Sequence, residues 1–237
     1  RGDIEHLMPE IAPKNGKRIA CIGAGPASLT VARDLAPLGY HVVVYDRDRS
    51  GGGMMRSQIP AFRLPESVLN EEVERILNFG IETRFNQNIE SLKSVIDEDY
   101  DAVFVGTGAP RGRDLDIPGR DQVGDHFHIG IDWLMSVAFE HTSKIGKKVI
   151  VLGGGNTAMD CCRTSKRLGG DDVKGIVRSP FETMKASPWE IEDAQSEDIE
   201  ILNNHVPLEF VIEDGKLVGM KFDRVAPQFD ESGRRKL

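Results

Sequence analysis

Apolar residues fall in short blocks along this chain, and the blocks alternate between strand and helix spacing. The first, residues 18–22, suits a strand; after a glycine turn, Leu29, Val31, Leu35 and Leu38 are spaced for the buried face of a helix. Gly39 is placed to end that helix. Residues 41–45, with Val42, Val43 and Val44 consecutive, read as a strand covered on both faces of a parallel sheet. A helix is expected over 66–79, with Leu69, Val73, Ile76 and Leu77 on one side and Gly80 as the stop. A strand follows at 102–105. A second cycle then comprises a helix at 131–139, a strand at 148–152, a glycine turn, a helix at 157–168 ended by Gly169 and Gly170, and a strand at 173–177. Residues 208–212 and 217–222 flank Asp214-Gly215, a hairpin signal that should add antiparallel strands to the second sheet. Residues 1–16 hold Pro9 and Pro13 but no sustained period, and are expected to be an extended lead-in outside the core.

Two cycles of strand, glycine turn, helix and strand imply an α/β chain with two Rossmann-like dinucleotide-binding domains, placed at 17–126 and 127–237. In the first turn, Gly23-Ala24-Gly25-Pro26-Ala27-Ser28, the first glycine permits a tight bend and the second lets a pyrophosphate reach backbone amides at the positive end of the helix. Ser28, at the third position, is small enough for close helix–strand packing. Asp46 ends the next strand, where a carboxylate accepts hydrogen bonds from a ribose hydroxyl. Gly153-Gly154-Gly155-Asn156-Thr157-Ala158 repeats the arrangement. After its following strand stands Arg178, a cation suited to the 2′-phosphate of NADPH, so NADH is the less favoured cofactor. Lys185 adds a second cation if the loop between them folds back.

A chain of 237 residues is long enough for two modest cores. A net charge of −8 without a basic cluster excludes binding to a nucleic-acid backbone. No apolar run approaches the roughly 20 residues that span a bilayer, and no signal-peptide pattern opens the chain, which therefore reads as cytoplasmic. Cys21, Cys161 and Cys162 lack the spacing of a dithiol or a metal site. Adjacent helix positions diverge by about 100°, so one of Cys161 and Cys162 should pack inward and the other partly outward.

Ile22 to Ser28, the Gly52-Gly53 pair, Ile59-Pro60-Ala61-Phe62-Arg63-Leu64-Pro65, Gly106-Thr107-Gly108 and the run Leu152 to Cys161 resemble the small subunit of NADPH-dependent glutamate synthase. They are equally similar to the flavin and NADPH module of dihydropyrimidine dehydrogenase, and the likeness covers nearly everything from Lys17 onward. The resemblance implies an NADPH-oxidising flavoprotein whose NADPH domain is inserted into its FAD domain. Hydride would pass from nicotinamide to flavin, and electrons onward to an iron–sulfur partner subunit or domain, with no catalytic side chain or metal ligand required here. By matching positions, it assigns Gly23, Gly25, Pro26, Ala27, Asp46, Gly52, Gly53, Met54, Arg63 and Ile89 to the FAD site, beside Ser28, Thr107 and Gly108. Gly154, Gly155, Asn156, Thr157, Arg178 and Lys185 go to the NADPH site. Ser179 departs from the pattern, since many members carry a second arginine there, and Gln58 replaces a frequent glycine. Family members return after the NADPH domain to a Gly-Asp motif that completes the FAD domain; none follows Gly170-Asp171 here, and the first residue is Arg1. The FAD domain is therefore expected to be incomplete and the chain to be part of a longer polypeptide.

Overall fold

Consecutive valines in a strand leave no side for solvent, and the structure buries them accordingly. The computed structural model describes residues 9–226, 228, 229, 235 and 236, and the chain divides into two compact units, Arg1–Pro110 and Arg111–Leu237. In the first, β1 (Arg18–Ile22), β2 (His41–Tyr45), β3 (Glu82–Arg84) and β4 (Ala102–Val105) form a parallel sheet in the order β3-β2-β1-β4. Alternate residues serve opposite faces: Ile19, Cys21, Val42 and Val44 pack with Ala32 and Ala36, whereas Ala20, Ile22, Val43 and Tyr45 pack with Val95. Each such side chain contributes about 1.5–3 kcal/mol at most.

The helices of this unit are α1 (Pro26–Leu35), α2 (Met54–Ser57), α3 (Glu66–Leu77) and α4 (Leu92–Ile96). α1 starts with Pro26, whose missing N–H costs nothing at a helix start. It tightens into a 3-10 turn at Ala36–Leu38, closed by Gly39 at φ 87°. That tightening corrects one expectation: Ala36 and Pro37 are buried there, and Leu38 is 61% exposed. Of the lead-in, residues 1–8 lie outside the described set, while 9–16 are exposed and carry no helix or strand. Ala12 N–H donates to Pro37 O at 2.8 Å and Asn15 N–H to Gly39 O at 3.0 Å, which ties the lead-in to the end of α1.

In the second unit, β5 (Lys148–Leu152), β6 (Asp172–Val177) and β7 (Glu200–Asn203) form a parallel sheet in sequence order. α6 (Asn156–Arg167) packs between α5 (Gly130–Ala138) and α7 (Pro188–Ser196) and against the sheet. Because α6 is enclosed, everything from Ala158 to Ser165 is buried. Cys161 joins Trp133 and Leu134 of α5, and Cys162 faces Val173, Ile191 and Ala194, so both cysteines point inward, contrary to the expectation from spacing.

β8 (His205–Glu213) and β9 (Lys216–Arg224) form the expected hairpin, with positive φ at Asp214 and Gly215 as a primed turn requires. It is a separate two-stranded sheet and does not extend β5-β6-β7, which corrects the expected antiparallel addition. The compact units part after Pro110, ahead of the boundary expected at 126/127. Residues 111–126 join the hairpin instead: Phe210 N–H donates to Pro118 O at 3.0 Å, and a Cβ at Gly119 would stand 3.1 Å from Phe210. The rings of Phe127 and Phe210 meet edge to face at 5.9 Å.

Candidate functional site

Both glycine turns lie where a parallel strand hands over to a helix, and in each the glycines divide into those demanded by packing and those left open. Gly23 has φ 91°, and a Cβ on it would stand 2.7 Å from Gly106 O. A Cβ on Gly53, at φ 51°, would stand 2.8 Å from Gly25 Cα. One on Gly106 would meet Ser28 Oγ at 2.2 Å. The residues Gly23 to Ser28, the Gly51-Gly52-Gly53 loop and Gly106 therefore converge, with Met54 Sδ 3.9 Å from the Cβ position of Gly108. Gly25 is the exception, since nothing but Gly106 O, at 4.0 Å, comes within reach of its absent side chain.

The second turn repeats the division. Gly153 needs its φ of 143°, and Gly154 needs to be small because a Cβ would stand 2.6 Å from Val177 Cγ1. Gly155 has no such reason, as nothing lies within 4 Å of its Cβ position. Gly25 and Gly155 are the N-cap residues of α1 and α6, and neither helix start carries a side-chain cap. In α1 the first turn closes with Leu29 N–H on Gly25 O at 3.0 Å, leaving the amides of Ala27 and Ser28 ahead of it. In α6, Ala158 N–H bonds Gly155 O at 2.9 Å, ahead of which lie the amides of Asn156 and Thr157. Amides without internal acceptors, the positive end of a helix dipole and a face without a side chain together suit a pyrophosphate.

Side chains around the turns brace them. The Asp46 carboxylate accepts from Ala24 N–H through Oδ2 and from Asp48 N–H through Oδ1 at 2.9 Å. It thus fastens the end of β2 to the first turn, and lone pairs remain for a ribose hydroxyl. Burial, then the charge of Asp46, pushes the Asp48 carboxyl above its ordinary value. Arg56, which the sequence reading did not single out, holds the triple-glycine loop: it donates to Gly51 O at 2.9 Å, Asn70 Oδ1 at 2.7 Å and Glu66 Oε1 at 3.0 Å. Arg63 and Ile89 are placed differently from the convergent residues. Arg63 lies in a turn where its N–H donates to Pro60 O at 2.9 Å. Ile89 packs with Ile22, Tyr45 and Val95 beneath the sheet.

In the second unit the loop after β6 does fold back. The N–H groups of Lys185 and Ala186 both donate to Gly154 O at 2.9 Å, while the side chains of Arg178 and Lys185 are exposed. The Asn156 side chain reaches Ser187 rather than open space: its Oδ1 accepts from Ser187 N–H at 2.8 Å. The cysteines are free and buried, and burial pushes the Cys21 thiol up to about 11 and that of Cys162 up to about 12, which disfavours the reactive thiolate. Burial raises Cys161 as well.

A model of the pyridine nucleotide-disulphide oxidoreductases matches residues 17–226. The chain belongs to that family. Among its relatives, the chain is 36% identical over 231 residues to the beta subunit of an NADP(+)-dependent formate dehydrogenase from Moorella thermoacetica, covering 95% of this chain and 32% of that one. It is 35% identical over 238 residues to the small chain of glutamate synthase [NADPH] from Escherichia coli, covering 94% and 50%. The chain thus spans a third to a half of these relatives, and the likeness read from the motifs agrees with the second of them. The fold also matches that of Mycobacterium tuberculosis FprA solved in complex with NADPH, with TM-score 0.77, 17% identity, and coverage of 95% of this chain and 66% of that one. Among the described residues no helix is long and apolar enough to cross a membrane.

Proposed function

We propose that this chain is the dinucleotide-binding part of a flavin oxidoreductase, with FAD on the first glycine turn and NADPH on the second. The supporting observation is that one chain holds two uncapped helix starts, each behind a glycine whose missing side chain would meet no atom closer than 4.0 Å. Nothing in packing calls for glycine at Gly25 or Gly155, whereas close approach of a diphosphate does. Gly25, Ala27 and Ser28 would offer backbone to the FAD pyrophosphate, Asp46 its remaining lone pairs to the ribose, and Gly52 to Met54 with Thr107 and Gly108 the rim. Pro26, Arg63 and Ile89 complete the set assigned by resemblance. Gly154, Gly155 and Thr157, with the cations Arg178 and Lys185, would hold NADPH.

Bound flavin would supply the redox chemistry, accepting hydride and releasing electrons; the chain's own residues would seat the two diphosphates on helix-start amides and set Arg178 and Lys185 towards the 2′-phosphate. The electrons go to an iron–sulfur partner or domain, as in the glutamate synthase small-subunit family. Three free, buried cysteines fit a reducing compartment, and we place the module in the cytoplasm. A disulfide-reducing variant of the same plan is disfavoured by thiols that are buried and pushed upward. The test is the purified full-length polypeptide that contains this chain. It should carry a visible flavin spectrum that NADPH bleaches under anaerobic conditions, and a colourless protein would end the proposal. A Cys161→Ser, Cys162→Ser double variant that keeps NADPH-driven electron transfer to the acceptor would exclude the disulfide reading, and loss of that transfer with bleaching intact would revive it.

A further inference from the structure

The loop between β6 and α7 carries both cations assigned to the 2′-phosphate, and at each of its ends an asparagine side chain grips its backbone. At the start, Asn203 at the end of β7 donates from Nδ2 to Ser179 O at 2.9 Å, next to Arg178. At the end, Asn156 accepts from Ser187 N–H at 2.8 Å and donates towards Ser187 Oγ at 3.4 Å, two residues beyond Lys185. Between them, Gly154 O takes the N–H groups of Lys185 and Ala186, and Ala186 is buried with Met159 and Ile191. A loop with exposed cations has little reason of its own to stay folded, because charged side chains at a surface contribute little to order. This one is fastened to the glycine turn at one end and to the neighbouring strand at the other.

We infer that Asn156 and Asn203 are positioning residues for coenzyme selection, holding the segment from Ser179 to Ser187 so that Arg178 and Lys185 meet the 2′-phosphate that distinguishes NADPH from NADH. The inference rests on the proposed seat of NADPH at the second turn. It gives the Asn156 side chain work on the protein itself, where the family resemblance assigns it to the coenzyme. A pre-set loop spares the ligand the entropy of ordering those cations, and the benefit falls on the phosphorylated coenzyme alone.

The test uses the full-length flavoprotein and compares kcat/KM for NADPH with that for NADH, alongside the affinities of 2′,5′-ADP and ADP, which need no turnover. Asn156→Ala and Asn203→Ala should each lower the NADPH to NADH ratio roughly tenfold, about the worth of one charge-assisted hydrogen bond. The preference for 2′,5′-ADP over ADP should fall in parallel. Ser187→Pro cuts the Asn156 bond from the other side, at a residue whose φ of −62° already suits proline, and should reproduce the Asn156→Ala ratio. Combined with Asn156→Ala, it should add nothing further. Ratios that stay at the parent value, or equal losses for both coenzymes, would overturn the inference while leaving NADPH at the turn. A parent protein that binds neither 2′,5′-ADP nor ADP would overturn the seat itself.

Discussion

Replacing Gly155 by alanine separates ligand approach from folding more cleanly than any other single change in this chain. The backbone at Gly155 has φ −107° and ψ 174°, which alanine adopts without strain, and no atom lies within 4 Å of the added methyl. Reduced freedom of the unfolded chain favours the alanine by about 0.4–1 kcal/mol. Alanine is a poorer N-cap than glycine by a similar amount, on the order of 0.5–1 kcal/mol. The two offset, so thermal melting should shift by no more than roughly 2–4 °C. NADPH binding should fare differently, because the methyl stands where the pyrophosphate must approach the amides of α6. Losing one or two charge-assisted hydrogen bonds of about 1.5–3 kcal/mol each weakens affinity by a factor of at least ten. Gly154→Ala is the control with the opposite profile, since its methyl would stand 2.6 Å from Val177 Cγ1 and overpacking costs about 1–3 kcal/mol. Melting curves and NADPH titrations of the full-length protein read both quantities. A Gly155→Ala protein that melts like the parent and binds NADPH equally well would refute the assignment of this turn to the coenzyme.

Four other outcomes follow from the packing and the charges. Arg178→Ala should weaken NADPH far more than NADH in steady-state kinetics, and comparable losses would show that Arg178 does not read the 2′-phosphate. Arg163 is paired with Glu190 at 3.3 Å and Glu197 at 2.9 Å between α6 and α7, so Arg163→Ala should lower stability in denaturant melts by about 3–5 kcal/mol through the buried Glu190 left behind. In the same network Arg167, followed by Arg163, holds the Glu197 carboxyl below its ordinary 4.5. Its stabilising contribution is therefore present above that value and lost as pH falls through the lowered one, which an acid titration of the melting temperature checks. Gly106→Ala should disrupt the first unit, because its methyl meets Ser28 Oγ at 2.2 Å. Adding Ser28→Gly should restore part of the loss, and identical melting of the single and double variants would show the clash to be elsewhere.

The strands β1, β2, β4 and β5 were legible from the sequence because they are short, mostly apolar runs, and they fall at their expected residues; β1 and β2 are buried along nearly their whole length. The edge strands β3 and β7 were not. β3 is Glu82-Thr83-Arg84, whose side chains pair with His41 and with each other, leaving no apolar mark. α7 escaped for a related reason: its buried face includes Glu190, which reads as a solvent position until Arg163, distant in sequence, is placed beside it. Leu38 and the cysteine pair were misjudged because a helix period says which residues share a face but not how many neighbours enclose the helix. At the site, both turns and the cation loop could be named from residue type and spacing. The grips of Arg56, Asn156 and Asn203 could not, since a polar side chain bonded to distant backbone carries no period.

Crystals of the full-length protein soaked with NADP+ in the flavin-loaded state address the central claim most directly. One diphosphate is expected against the amides of Ala27 and Ser28 and a second against those of Asn156 and Thr157. Density for both would bear it out, and two empty turns in a protein saturated with both coenzymes would contradict it.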